Sequence, residues 1–218
     1  MLERVQKLLL KEIQLELRQK YAINGIILYI VSTVFISYLS FKSIISPPAW
    51  NALFWMILLF ASVNASAKSF NAESRNRFLY IYSLISPQEL IISKILYNIL
   101  LMLIVSLICF ACYSLFIGNL VQDTGLFLLN ILLGSIGLSS LLTLVSAIAS
   151  KTNNNFSIMA ILSFPIIVPL LMVLIRISKN AVDGLSWSIS NKLILTLGAL
   201  DAVIIALAFM LFPYLWKE

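Results

Sequence analysis

The sequence predicts an all-α integral membrane protein, with six transmembrane helices and an N-terminal helix at the membrane surface. Three observations carry this. Of 218 residues, 61% are hydrophobic and only 11% charged, where a soluble domain has roughly a quarter of its residues charged. Mean hydropathy is +1.01, so too few polar side chains remain to cover a water-exposed surface. The apolar residues fall in long runs without the period-2 alternation of barrel strands, each run near the roughly 20 residues a helix needs to cross hydrocarbon.

Residues 1–20 form the surface helix: Leu2, Val5, Leu9, Ile13 and Leu17 recur at helical spacing, with Arg4, Lys7, Lys11 and Arg18 on the other face. A basic amphipathic helix of this kind lies in the headgroup plane. The first apolar run follows this charged segment, so no cleavable signal peptide is expected. The spans are expected at about 23–41, 50–67, 95–117, 126–149, 158–175 and 193–215, in one polytopic domain over 1–218. Pro47-Pro48 sets the turn before the second span, and Trp50 is placed to anchor at the bilayer interface. Short loops are expected at 118–125 and at Lys151–Asn155, and a longer one over Arg176–Lys192 with a turn at Asp183-Gly184.

Basic residues set the orientation. Arg4, Lys7, Lys11, Arg18, Lys20, Lys68, Arg75, Arg77, Lys94, Lys151 and Lys217 fall on one side, against Lys42, Arg176, Lys179 and Lys192 on the other. The positive-inside rule then places both termini in the cytoplasm. The chain has no histidine, no Gly-rich phosphate loop and no close carboxylate pair within the spans. No catalytic residue, resident cofactor or metal site is therefore expected, and the partners are the lipid bilayer and other proteins, with no nucleic acid. Cys109 and Cys112 share one apolar run and read as small packing residues.

One stretch cannot live in lipid. Residues 68–93 interrupt the apolar runs with Glu73, Arg75 and Arg77, then continue as Phe78-Leu79-Tyr80-Ile81-Tyr82 and on to Pro87. A charged segment followed by an aromatic and aliphatic one reads as a short surface helix offered to a soluble partner. Within the spans, Asp201 is an intramembrane carboxylate, about a third of the way along the sixth span from its outer end, either a functional group or a buried packing one. Asn64, Asn98 and Asn130 are expected to hydrogen-bond between helices. Pro165 and Pro169 each remove a backbone donor from the fifth span and bend it, to shape or gate a pathway or as a static kink.

The layout resembles the permease subunits of ABC-2 type transporters, and more narrowly the CcmB family, the haem exporter protein B of cytochrome c maturation. The residues that carry this are Ser86-Pro87 with Glu89-Leu90 and Lys94, then Leu132-Leu133-Gly134-Ser135-Ile136-Gly137-Leu138, then Phe164-Pro165-Ile166-Ile167-Val168-Pro169-Leu170-Leu171. The last is close to the family's Leu-Pro-x-x-x-Pro-Leu-Leu. The resemblance implies a membrane permease subunit without a catalytic site of its own, in the cell inner membrane. It implies an ATPase subunit like CcmA, carrying the ATP, with membrane subunits like CcmC and CcmD, a homodimer of this chain, and haem as substrate. It assigns Glu73, Arg75, Phe78, Leu79, Ile81, Tyr82 and Pro87 to a coupling segment that docks in a cleft of the ATPase. Many relatives carry an acidic residue, a glycine and a Leu-Glu pair where this chain has Arg77-Phe78-Leu79-Tyr80-Ile81. The alternatives are an ABC-2 permease for another amphipathic substrate, and a membrane scaffold that moves nothing.

Overall fold

The computed structural model describes residues 2–19, 21–41, 45–68, 86–150 and 155–217. These residues form seven helices: α1 (Leu2–Gln19), α2 (Tyr21–Phe41), α3 (Pro47–Lys68), α4 (Pro87–Phe116), α5 (Thr124–Ala149), α6 (Asn155–Val182) and α7 (Trp187–Lys217). The last six are long and apolar enough to cross a membrane. They alternate in direction, so one end of the bundle carries α1 and the other, here the far end, carries the loops after α4 and α6.

Several helices outrun the expected spans, for local reasons. The loop expected over 68–93 is shorter, because Ser86 caps α4: its hydroxyl accepts from the Glu89 N–H (3.4 Å) while the Glu89 carboxylate accepts from the Ser86 N–H (3.3 Å). This reciprocal cap, with Pro87 in the first turn, satisfies backbone donors that a helix start otherwise leaves open. The loop expected over Arg176–Lys192 shrinks to 183–186, because α6 runs on to Val182. There Gly184 takes the left-handed conformation (φ 67°) and the Leu185 N–H reaches back to the Asn180 carbonyl (2.9 Å), which closes the helix end.

α5 is the centre. It packs on α3, α4, α6 and α7, and 78% of its span is buried against 17% for the peripheral α2. Its own composition permits this: Gly134, Ser135, Gly137, Ser139, Ser140, Thr143 and Ser146 keep its surface narrow, and all are buried. Small residues let helix backbones approach in lipid, where apolar surface alone gives no drive to associate. Against α4 the register is antiparallel and hydrogen-bonded. Ser106 meets Ser135 (3.2 Å) and the Asn98 amide donates to Thr143 (2.7 Å). Ser146 donates to the Ser66 carbonyl of α3 (2.9 Å).

The far end is held by aromatic packing. Trp50, Phe54, Tyr113 and Phe127 are wholly buried; Trp50 and Phe54 contact each other and both of the other rings, with centroids 4.9–5.9 Å apart. The Tyr113 hydroxyl donates to the Trp50 carbonyl and the Trp50 indole to the Gly118 carbonyl, both at 3.1 Å. Trp50, expected at the bilayer interface, is therefore a core residue, because its polar N–H finds its partner inside the protein. Asp123 ties three helices there. Its carboxylate caps α5 through the Leu126 N–H (3.0 Å) and accepts from the Trp187 indole of α7 (2.6 Å), while its own N–H donates to Ala181 of α6 (2.9 Å).

Candidate functional site

Two regions gather polar groups that the bundle does not need for simple packing. The first is at the α1 end. α1 lies against the first turns of α4 and buries Val5 and Leu8. Lys94, fully buried about two turns past the α4 cap, meets the Glu12 carboxylate of α1 at 3.5 Å. Lys7 and Glu3, by contrast, pair in water on the exposed face (2.7 Å). α1 is thus fastened to α4 by apolar seam and ion pair together. Of the expected coupling residues, Pro87 opens α4, with its side chain partly exposed. Glu73, Arg75, Phe78, Leu79, Ile81 and Tyr82 lie outside the described residues.

The second region is the meeting of α5, α6 and α7. The buried face of α6 runs through Ser163, Ile167, Leu170, Leu174, Ile177 and Ala181. Pro165 and Pro169 stand on the opposite face, exposed beside Ile161, Phe164 and Met172. α6 continues through both prolines, so each proline leaves the carbonyl four residues before it without its helical donor. Several bonds that tie α6 to its neighbours lie beyond both prolines. Asn130 of α5 donates to the Leu174 carbonyl (2.9 Å) and Asn51 of α3 to the Ile175 carbonyl (3.0 Å). The Trp55 indole donates to Ser178 (2.8 Å), whose hydroxyl donates on to Asn51 Oδ1 (2.5 Å). The far half of α6 is therefore clamped, at about 1 kcal/mol per bond, and the prolines lie where the clamp ends.

Asp201 of α7 sits just there. It is 4% exposed, and neither carboxylate oxygen has a hydrogen-bond partner among the described residues. A Cβ built on Gly137 of α5 would collide with Asp201 Oδ1 and with Leu170 Cδ1. Gly137 therefore supplies the space in which the carboxyl rests. Three residues before it, Gly134 does the same for Trp55 and Leu174. The two glycines let α5 receive α3, α6 and α7 closely at one level.

Asn98 and Asn130 bond between helices as their place in apolar runs requires, while Asn64 is exposed. Cys109 is buried and Cys112 half-buried, both as free thiols. Among the described residues no group of three or more His, Cys, Asp and Glu side chains converges as a metal site. The contacts missed from sequence are those of Glu12, Trp55 and Ser178. Only the Ser86-x-x-Glu89 cap had a readable signal, the capping-box spacing.

Six membrane-length helices, one of them a narrow, hydroxyl-rich central helix, with an amphipathic helix fastened at one end, define a multi-pass α-helical membrane protein. A family model described as CcmB protein matches residues 3–214, nearly the whole chain, and the chain belongs to that family. Membership makes it, in general terms, a permease-type membrane subunit of the haem-exporter kind. No curated protein and no solved structure matches the chain significantly.

Proposed function

We propose that the chain is the membrane permease subunit of an ABC-type haem export or haem-release complex for c-type cytochrome biogenesis. It sits in the cell inner membrane with both termini in the cytoplasm, and couples ATP hydrolysis on a separate ATPase subunit to haem handling. Family membership over residues 3–214 is the observation that carries this reading. The excess of basic residues on the α1 side supports the orientation.

The mechanism is mechanical. The segment from Glu73 to Pro87 docks on a CcmA-like ATPase. It leads through the Ser86 cap into α4, a helix of 30 residues and so about 45 Å long. Because α1 is ion-paired to the first turns of α4, a push on the segment moves both helices as one lever. α5 transmits that movement to α6, whose prolines mark the end of its clamped half. The chain has no histidine, so an axial haem ligand from it would be Met, Tyr or Cys. The main haem-holding site then belongs to a CcmC-like subunit, with a CcmD-like subunit and a second copy of this chain completing the complex. Catalysis is confined to the ATPase.

Docking is tested by replacing Phe78 and Leu79 with aspartate and co-purifying the ATPase. Loss of association and of ATPase stimulation is expected; retention of both would exclude the segment as the docking site. For α6, Pro165→Ala with Pro169→Ala is expected to leave the protein folded and the ATPase bound, while cytochrome c maturation falls about tenfold or more. Full maturation by that double variant would reduce the prolines to static kinks and favour a scaffold.

A further inference from the structure

Asp201 has no place in the lever just described, and its surroundings are unusual. The residue is buried, with 4% of its surface exposed. It has two unpartnered oxygens among the described residues, and it rests on a glycine whose missing side chain makes its room. α5 and α7 lie parallel at this point: Gly137 faces Asp201 and Asp123 faces Trp187, and both pairs are 64 residues apart. The seat is therefore part of the helix register and not an accident of one rotamer.

Among the described residues, no counter-charge faces it from any packed element. α5 carries no titratable side chain within Thr124–Ala149. α6 carries Arg176 and Lys179, both exposed toward the far end, with Arg176 about 9 Å along the axis from Leu170. α4 carries Glu89 and Lys94 at the α1 end, and Tyr97, Cys109, Cys112 and Tyr113 along its length. It packs with α7 where Leu90, Ile91 and Ile95 cluster with Ala208 and Phe212, about 10 Å along α7 from Asp201. On α7 itself, Lys192 and Tyr214 are exposed and more than two turns away. A bare carboxylate here would be an uncompensated charge in a dry interior, which a carboxyl avoids by taking up a proton. A metal cation is a poor alternative, since among the described residues no group of His, Cys, Asp and Glu side chains gathers with Asp201 to ligate one.

We propose that Asp201 is an intramembrane proton-binding site. The carboxyl is held as the neutral acid while α7 lies on Gly137, and it exchanges its proton with water only when α5 and α7 part at this level. Helix separation at the junction of α5, α6 and α7 is then linked to proton release. This holds whatever cargo the protein handles and whether or not an ATPase docks.

The test uses the full-length protein in lipid nanodiscs. The chain has only three aspartates, Asp123, Asp183 and Asp201, and the first two are at the far end, one bonded to Trp187 and one exposed. Infrared spectra at neutral pH with ¹³C-labelled aspartate are expected to show a protonated-carboxyl C=O band that shifts with the label and disappears in Asp201→Asn. Absence of such a band in the wild type would overturn the proposal without any variant. As a second readout, the unfolding midpoint is measured against pH. The folded protein holds a proton that the unfolded chain releases, so raising the pH favours unfolding. The wild-type midpoint is expected to fall with rising pH relative to that of Asp201→Asn; parallel curves would also overturn it. Failure of the Phe78 and Leu79 test would leave both results untouched.

Discussion

Gly134→Val is expected to destabilise the bundle by about 3 kcal/mol, at the upper end of the cost of overpacking a tight core. A Cβ at Gly134 would lie 2.9 Å from Trp55 Cη2 and 3.0 Å from Leu174 Cδ2. Neither neighbour can yield. Trp55 is 2% exposed and its indole is held by Ser178 at 2.8 Å, while Leu174 is wholly buried and its carbonyl is held by Asn130. A branched side chain would push the ring outward, break the Trp55–Ser178 bond and loosen the far half of α6. Denaturant unfolding in micelles measures the loss, and tryptophan fluorescence reports whether Trp55 has moved. Gly198→Val is the control, because nothing lies within 4 Å of a Cβ there, and it is expected to stay within about 0.5 kcal/mol of the parent. Equal losses for the two variants would mean that glycine matters for the backbone and not for close approach.

Glu12→Gln is expected to cost about 2 kcal/mol, because the Lys94 ammonium, with no exposure of its own, loses a carboxylate partner at 3.5 Å. Lys94→Met is expected to cost less. Glu12 is 15% exposed and can turn toward water, and methionine fills the volume that the lysine stem leaves. The double variant is expected to lose less than the two single losses added together, since the attraction between the two side chains is then counted once. A double-mutant cycle reads this directly; additive losses would show that α1 and α4 are not fastened through this pair. A functional readout accompanies it. If α1 and α4 move as one lever, Glu12→Gln lowers ATPase-driven maturation more than Lys7→Gln, whose partner Glu3 is exposed and whose pair is of the kind worth at most about 1 kcal/mol.

Much of the architecture is legible in local composition. The six apolar runs and the amphipathic N-terminal helix are visible because the cost of placing charge in hydrocarbon is paid residue by residue. Asn98 and Asn130 could be read as inter-helix donors for the same reason. The helix ends were less legible. Residues 87–93 look like loop by polarity, yet Ser86 and Glu89 make them the first turns of α4. Residues 176–182 look like loop by charge, yet Arg176 and Lys179 project from the exposed side of α6. Long basic side chains near a helix end reach the headgroups while the backbone continues inside. Asp201 was visible as an anomaly, but its seat on Gly137 was not, because the two residues meet across 64 positions of chain.

By itself, then, the sequence determined how many helices cross the membrane, where the polar interruption between α3 and α4 falls, and that the chain resembles the CcmB family. Only the tertiary structure decided which side of each helix faces in: that α5 is central, that Trp50 is core, that Pro165 and Pro169 look outward, and that Lys94 is clasped by α1. The reason is the solvent. In water an apolar stripe announces the inner face, but lipid tails are as apolar as leucine. A membrane helix can therefore be apolar all round, and its inner face is chosen by small residues, hydrogen bonds and close fit, which exist only between helices already brought together.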